Sequence, residues 1–329
     1  MKIVIPDDYQ DMVDQLACFS LIRHHDVTRY RQPARDFDHL VERLGDAEVI
    51  VAIRERVTFD RALISRLPKL KLIALVGRGA ATIDYAACSA HGVMVSTGTS
   101  NSPHAPAELT IALMLASRRN VALEAERMKR GEWPCTLSHR LRESTLAILG
   151  LGNIGALVAE AGRGLGMNVL VWGRENSQAR ARAAGYAVAE SKADLFQRAD
   201  VLSLNLRLSP DTRGAVGADD LARMKPSALL VNVARAELIQ PGALVQALRL
   251  GRPGYAAVDV YEQEPIIGGH HPLLALPNAL CLPHLGWAEW ENFELYFGEA
   301  FEQIVAYERR EPLRLANPDV MTNRPVATV

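Results

Sequence analysis

Short apolar runs and longer segments of helical spacing alternate along almost the whole chain. Up to about residue 97 the apolar runs fall at 3–5, 27–30, 49–53, 70–76 and 93–96. Strands that alternate with helices in this way predict a parallel sheet covered on both faces. A polar segment bearing Gly98 and Pro103 then leads into a helical stretch from about 104 to 130, closed by Gly131-Glu132-Trp133-Pro134. Such a segment reads as a domain junction. From residue 145 the rhythm resumes, with runs at 146–149, 169–172, 201–206, 228–234, 256–261 and 280–282. Six strands interleaved with helices predict a doubly wound dinucleotide-binding fold. A last helix, about 290–309, carries Phe293, Leu295, Phe297, Phe301, Ile304 and Val305 and is expected to pack back on the first domain. The expected fold class is therefore α/β with two doubly wound parallel-sheet domains. One is discontinuous, 1–98 with 287–329, and the other is inserted as 99–286.

Length agrees with that division, because 329 residues exceed the size at which single cores usually stop growing. Hydrophobic residues at 49% and charged residues at 23% are ordinary for a globular enzyme, and a net charge of -1 gives no reason to expect nucleic acid or an anionic membrane as partner. The apolar run at the amino terminus is too short for a signal peptide, and no segment reaches the ~18 apolar residues of a membrane span, so a cytoplasmic protein is expected. Cys18, Cys88, Cys135 and Cys281 lie far apart without a Cys-x-x-Cys pair. Neither a disulfide framework nor a metal site is signalled, and ordinary core or surface thiols are expected.

Candidate chemistry concentrates at the ends of the apolar runs. The run at 146–149 enters Gly150-x-Gly152-x-x-Gly155, with Asn153 and Ile154 between, and then a helix. In a strand–turn–helix, Gly150 permits the turn, Gly152 lets a pyrophosphate approach the backbone and Gly155 allows close helix–strand packing. At the end of the next strand an acid would bind a ribose 2′-hydroxyl and a base would accommodate a 2′-phosphate. Gly173 stands where the acid is sought and Arg174 follows it, which favours NADP(H) over NAD(H); if Glu175 faces the ribose instead, the preference reverses. Arg235, Glu264 and His284 follow three later strands and fall on the sheet edge that carries the glycine loop, where they can converge. Arg78-Gly79 closes the run at 70–76 at the corresponding edge of the first domain. Singly, each of these residues has a dull explanation as a solvated charge or a turn.

The segments Leu149-Gly150-Leu151-Gly152-Asn153-Ile154-Gly155, Val231-Asn232-Val233-Ala234-Arg235, Asp259-Val260-Tyr261-Glu262-Gln263-Glu264-Pro265 and Pro283-His284-Leu285-Gly286 resemble the D-isomer-specific 2-hydroxyacid dehydrogenase family, in its order and approximate spacing. The resemblance spans nearly the whole chain. It implies a Rossmann dinucleotide-binding domain, a discontinuous flavodoxin-like substrate domain, a homodimer, and hydride transfer between a nicotinamide cofactor and a small 2-keto or D-2-hydroxy acid. It implies Arg235 on the substrate carboxylate and keto oxygen, His284 as acid and base with Glu264 as its partner, and Asp259 on the nicotinamide carboxamide. Val233, Ala234 and Gly286 would lie along the ring, and the backbone N–H groups of Arg78 and Gly79 would meet the carboxylate. Trp287 and Trp290 are expected either to wall the pocket or to be core or interface aromatics. Two departures stand out: Ala81 replaces the usual Asp of the substrate-domain loop, and Arg78 is bulkier than the usual residue there. A dinucleotide-sensing corepressor of the same fold is the rival reading from another functional class. A methyltransferase using the glycine loop would leave Glu264 and His284 unexplained.

Overall fold

In a computed structural model the described residues are 1–79, 82–134, 136–311 and 313–322. Ala81 and Cys135 lie outside them. The chain divides into two compact units, Met1–Ser102 with the stretch from Glu289 onward, and Pro103–Ala288.

The first unit holds a parallel sheet of β1 (Lys2–Ile5), β2 (Asp26–Arg29), β3 (Val49–Ile53), β4 (Leu72–Val76) and β5 (Met94–Ser96), in the order β2-β1-β3-β4-β5. Every residue of β3 and β4 is buried, so these strands read as continuous apolar runs without alternation. Helices α1 (Phe37–Leu44), α2 (Arg61–Ile64) and α3 (Tyr85–Ala90) connect the strands. Each starts at an aspartate whose carboxylate accepts a backbone N–H of the first turn: Asp36 from His39, Asp60 from Leu63 and Asp84 from Ala87. The closing helix, Trp290–Glu308, packs on β4 and on the 3-10 turn Ala17–Leu21. Its Phe293, Phe297 and Phe301, spaced by four, stack at centroid distances of 5.3 and 5.7 Å along the face that the helix buries.

The seams fall at Ser102/Pro103 and Ala288/Glu289, against the 98/99 and 286/287 expected from the pattern, and the first has a physical cause. The Glu299 carboxylate on the closing helix accepts the backbone N–H groups of Thr99 and Ser100 at 3.0 and 3.1 Å and their hydroxyls at 2.8 and 3.0 Å. Tyr296 Oη takes the Ser102 N–H at 2.9 Å. Residues 99–102 therefore stay with the first unit.

The second unit begins with α4 (His104–Arg118) and α5 (Val121–Lys129). One helix over 104–130 was the expectation; Asn120, at φ 53° in the left-handed region that asparagine tolerates, breaks it in two. The sheet that follows contains β6 (Thr145–Leu149), β7 (Asn168–Trp172), β8 (Ala187–Val188), β9 (Val201–Leu204), β10 (Leu229–Asn232), β11 (Tyr255–Val258) and β12 (Ala279–Cys281). Their order is β12-β11-β10-β9-β6-β7-β8, all pairings parallel. The expected six strands become seven because β8 is two residues long and not fully buried, too short to show as an apolar run. Helices α6 (Asn153–Gly164), α7 (Glu175–Ala183), α8 (Lys192–Arg198), α9 (Ala218–Ala222) and α10 (Ala243–Arg249) complete the unit. The winding direction reverses between β6 and β9, the switch point at which open α/β sheets bind ligands. Strands β9, β10 and β11 each stop short of their apolar runs, leaving short segments beyond the sheet edge. No helix among the described residues is long and apolar enough to cross a membrane. Cys18, Cys88 and Cys281 are free thiols, and burial pushes Cys18 and Cys88 up to about 12, so both are protonated and inert at neutral pH.

Candidate active site

Of the three glycines where β6 turns into α6, two are fixed by packing and one is not. Gly150 sits at φ 94°, and a Cβ there would lie 2.8 Å from Leu206. A Cβ on Gly155 would meet the Gly150 carbonyl oxygen at 2.4 Å, so only glycine lets α6 rest on the turn. At Gly152 the same atom would meet nothing within 4 Å. Gly152 is also the N-cap of α6 and supplies no side-chain acceptor. The protein's own packing therefore does not demand glycine at this position, whereas a pyrophosphate approaching the first-turn N–H groups, at Asn153 and Ile154, does. The loop fits the dinucleotide expected of it.

At the end of β7, a Cβ on Gly173 would lie 2.9 Å from Ser177 and 3.5 Å from Gly150, which holds the second strand end tightly against the glycine turn. Arg174 is the N-cap of α7. Its side chain is 75% exposed and, among the described residues, reaches Asp211, itself exposed, at 3.4 Å. Glu175 is the first residue of α7.

The opposite half of the edge is built around two buried polar residues. Asn232 ends β10; its Nδ2 donates to the Arg235 carbonyl at 2.9 Å and its Oδ1 accepts the Ala234 N–H at 3.1 Å. That folds Val233-Ala234-Arg235 into a turn, with Arg235 Nη1 donating back to the Ala234 carbonyl at 2.8 Å. Asp259, just after β11, is 0% exposed. Its backbone N–H donates to the Asn232 carbonyl, while its two carboxylate oxygens accept the N–H groups of Leu285 and Gly286, each at 2.7 Å. Burial raises its pKa, and the two amide donors oppose the rise.

These bonds clamp the turn on which His284 stands at φ 55°, a left-handed conformation uncommon for a residue with a Cβ. Gly286 is required beside it, since a Cβ there would lie 2.7 Å from Val233 Cγ1 and 3.1 Å from Asp259 Oδ2. His284 Nδ1 and Glu264 Oε2 form a short hydrogen bond, and both side chains are about four-fifths buried. Glu264 Oε1 accepts the Tyr261 N–H at 2.8 Å, and Tyr261 Oη donates to the Leu282 carbonyl at 2.8 Å. With Nδ1 engaged, Nε2 is the ring nitrogen left to exchange a proton. The second unit thus joins His284, Glu264, Asp259, Gly286 and Val233 in one contact network, with Arg235 on the neighbouring strand end.

Arg78 and Gly79 belong to the first unit, exposed at the C-terminal end of β4 beyond Gly77 at φ 117°. Trp287 is buried, whereas Trp290 opens the closing helix half-exposed. Asn232 and Tyr261 were given no role from the sequence, although both lie inside the segments that carried the resemblance. The sequence signal that could have marked Asn232 is a lone asparagine inside the apolar run 228–234.

A family model described as D-isomer specific 2-hydroxyacid dehydrogenase, NAD binding domain, matches residues 111–286. The chain is 34% identical over 319 residues to a glyoxylate reductase of Aeropyrum pernix, covering 92% of this chain and 93% of the relative. It is also 34% identical over 290 residues to a D-3-phosphoglycerate dehydrogenase of Methanocaldococcus jannaschii, covering 88% of this chain and 54% of the relative, so it spans about half the length of that protein. Among solved structures, a proposed D-3-phosphoglycerate dehydrogenase oxidoreductase from Ralstonia solanacearum superposes with a TM-score of 0.93 at 46% identity, covering 97% of this chain and 98% of that one.

The contrast between Gly152 and Gly155 separates binding from folding. Gly155→Ala is expected to destabilise by about 1–3 kcal/mol, read as a lower urea midpoint, because the methyl group drives into backbone. Gly152→Ala should leave the midpoint unchanged and weaken dinucleotide binding at least about tenfold by fluorescence titration. Unchanged binding in Gly152→Ala would remove the loop from the cofactor site.

Proposed function

This chain belongs to the D-isomer specific 2-hydroxyacid dehydrogenase family, as a nicotinamide-dependent oxidoreductase of 2-hydroxy or 2-keto acids, and from that premise we propose that it reduces a small 2-keto acid such as glyoxylate or hydroxypyruvate with NADP(H) favoured over NAD(H). The observation that carries this reading is the His284–Glu264 pair, held on a clamped turn at the edge of the dinucleotide-binding sheet.

A bound nicotinamide would supply the hydride to the keto carbon. The remaining tasks fall to this chain. His284 Nε2 gives a proton to the oxygen that becomes a hydroxyl, and takes it back in the reverse direction. Glu264 fixes the tautomer and the ring orientation through Nδ1. Arg235 binds the carboxylate and polarises the keto oxygen through its fixed fork of donors. Val233 and Ala234 would flank the ring, whereas Asp259, expected on the carboxamide, has no exposed surface and acts instead through the turn that it holds.

Arg174 carries the cofactor preference. Its exposed guanidinium at the start of α7 has only a long contact to Asp211, which leaves it able to take a 2′-phosphate. The chain also pairs with a second copy. Val121, Leu123 and Met128 on α5, with Trp133 and Leu137 after it, expose large apolar side chains over one stretch, a concentration characteristic of interaction surfaces.

His284→Ala is expected to lower kcat by about 10² or more while dinucleotide binding is kept; turnover at the wild-type rate would reject His284 as the acid. Glu264→Gln should lower kcat by about tenfold or more, because the imidazole loses the carboxylate that fixes its tautomer and orientation. An unchanged kcat would exclude that role.

A panel of 2-keto acids assayed with each reduced cofactor is expected to show a higher kcat/KM with NADPH, and Arg174→Ala should lose that advantage while keeping NADH activity. Faster turnover with NADH in the wild type contradicts the preference. Dinucleotide binding without turnover on any keto acid would favour the sensor.

Sedimentation is expected to give a dimer for the wild type and a monomer for a Trp133→Ser, Leu137→Ser double variant. A dimer that persists in this variant places the interface elsewhere.

A further inference from the structure

The first unit contains a group of nitrogen and oxygen donors that hydride transfer does not use. His24 and His25 stand in the turn between Ala17–Leu21 and β2, and Glu308 is the last residue of the closing helix. His24 Nε2 lies 3.5 Å and His25 Nε2 3.6 Å from the same oxygen, Glu308 Oε2. The ligand atoms of all three residues lie within 4.8 Å of one another. A tetrahedral ion with bonds of about 2.0–2.1 Å holds its ligands roughly 3.4 Å apart, close to these two separations. We propose that His24, His25 and Glu308 bind one divalent transition-metal ion of the zinc class and so tie the end of the closing helix to the turn before β2.

A second, independent feature points to a ligand. The His25 side chain is only 5% exposed, and its buried Nε2 has no hydrogen-bond partner. At 3.6 Å, Glu308 is too far to satisfy it. A buried ring nitrogen left in this way is destabilising unless something accepts or donates there, and a metal ion uses its lone pair. The rings of His24 and His25 lie with centroids 4.0 Å apart at 43°. His25 Nδ1 lies 3.4 Å from the Met1 amino nitrogen.

The donor set selects the ion. Two imidazoles and one carboxylate suit Zn²⁺, Ni²⁺ or Cu²⁺, whereas Mg²⁺ and Ca²⁺ call for oxygen ligands in larger number. His24 is 53% and Glu308 43% exposed, so an ion reaches the site from solvent and water completes its coordination. Contiguous histidines paired with a glutamate from the far end of the chain match no metal-binding spacing, which is why the sequence carried no such signal.

The test uses untagged full-length protein stripped with a chelator and titrated with Zn²⁺ by calorimetry, with thermal unfolding followed in parallel. One Zn²⁺ per chain and a raised Tm are expected, with no response to Mg²⁺. His24→Ala and Glu308→Gln alter partly exposed side chains and should weaken Zn²⁺ binding at least tenfold and abolish the Tm shift. His271→Ala, in the other adjacent histidine pair, should change neither. No stoichiometric binding, equal binding in His24→Ala and Glu308→Gln, or loss of binding in His271→Ala would each overturn the site.

Discussion

Asp259 has no exposed surface, yet each of its carboxylate oxygens accepts one backbone N–H from the turn that carries His284. A buried carboxylate is tolerated only when its oxygens are satisfied, and hydrogen bonds to a charged acceptor are stronger than those between neutral groups. The arrangement therefore constrains both partners: the acid needs the turn, and the turn needs the acid. From this follow the left-handed backbone at His284, the absence of a Cβ at Gly286 and the short bond between His284 and Glu264. Asn232 extends the same logic to the next strand, where its side chain folds the Val233–Arg235 turn while its carbonyl accepts the Asp259 N–H. Two buried polar side chains at adjacent strand ends thus hold the turns that carry Arg235 and His284.

The parts of this design that were legible in the sequence are those with a repeating or rigid physical signature. β3 and β4 are buried on both faces and could hardly be other than unbroken apolar runs. The glycine spacing is readable because Gly150 and Gly155 answer to contacts that forbid a Cβ. Arg235, Glu264 and His284 could be grouped because a parallel sheet puts all its strand C-termini on one edge. What remained hidden depends on contacts between residues far apart in the chain. The Glu299 carboxylate gathers Thr99 and Ser100 across the whole inserted unit, so the seam moved; Asn120 ends a helix through a backbone angle that no periodicity records. β8 pairs over two residues only, below the length at which a pattern exists. Asn232 and Tyr261 are polar or amphipathic residues whose roles lie in hydrogen bonds made after folding.

The glycines divide into two kinds, and the division clarifies how the fold and the proposed chemistry share the same strand ends. Gly150, Gly155, Gly173 and Gly286 are each hemmed in by protein atoms, so they are accounted for by the packing of turn, helix and loop alone. Gly152 faces open space. That open space lies at the N-terminus of α6, where unpaired backbone donors and the helix dipole favour an anion, so a ligand there sets a limit that packing does not. His25 shows the converse case in the first unit: a buried ring nitrogen has no hydrogen-bond partner among the described residues. In both places the protein alone leaves an interaction incomplete, and the chemistry of the surrounding atoms, amide N–H groups in one and imidazole with carboxylate in the other, states which kind of ligand completes it.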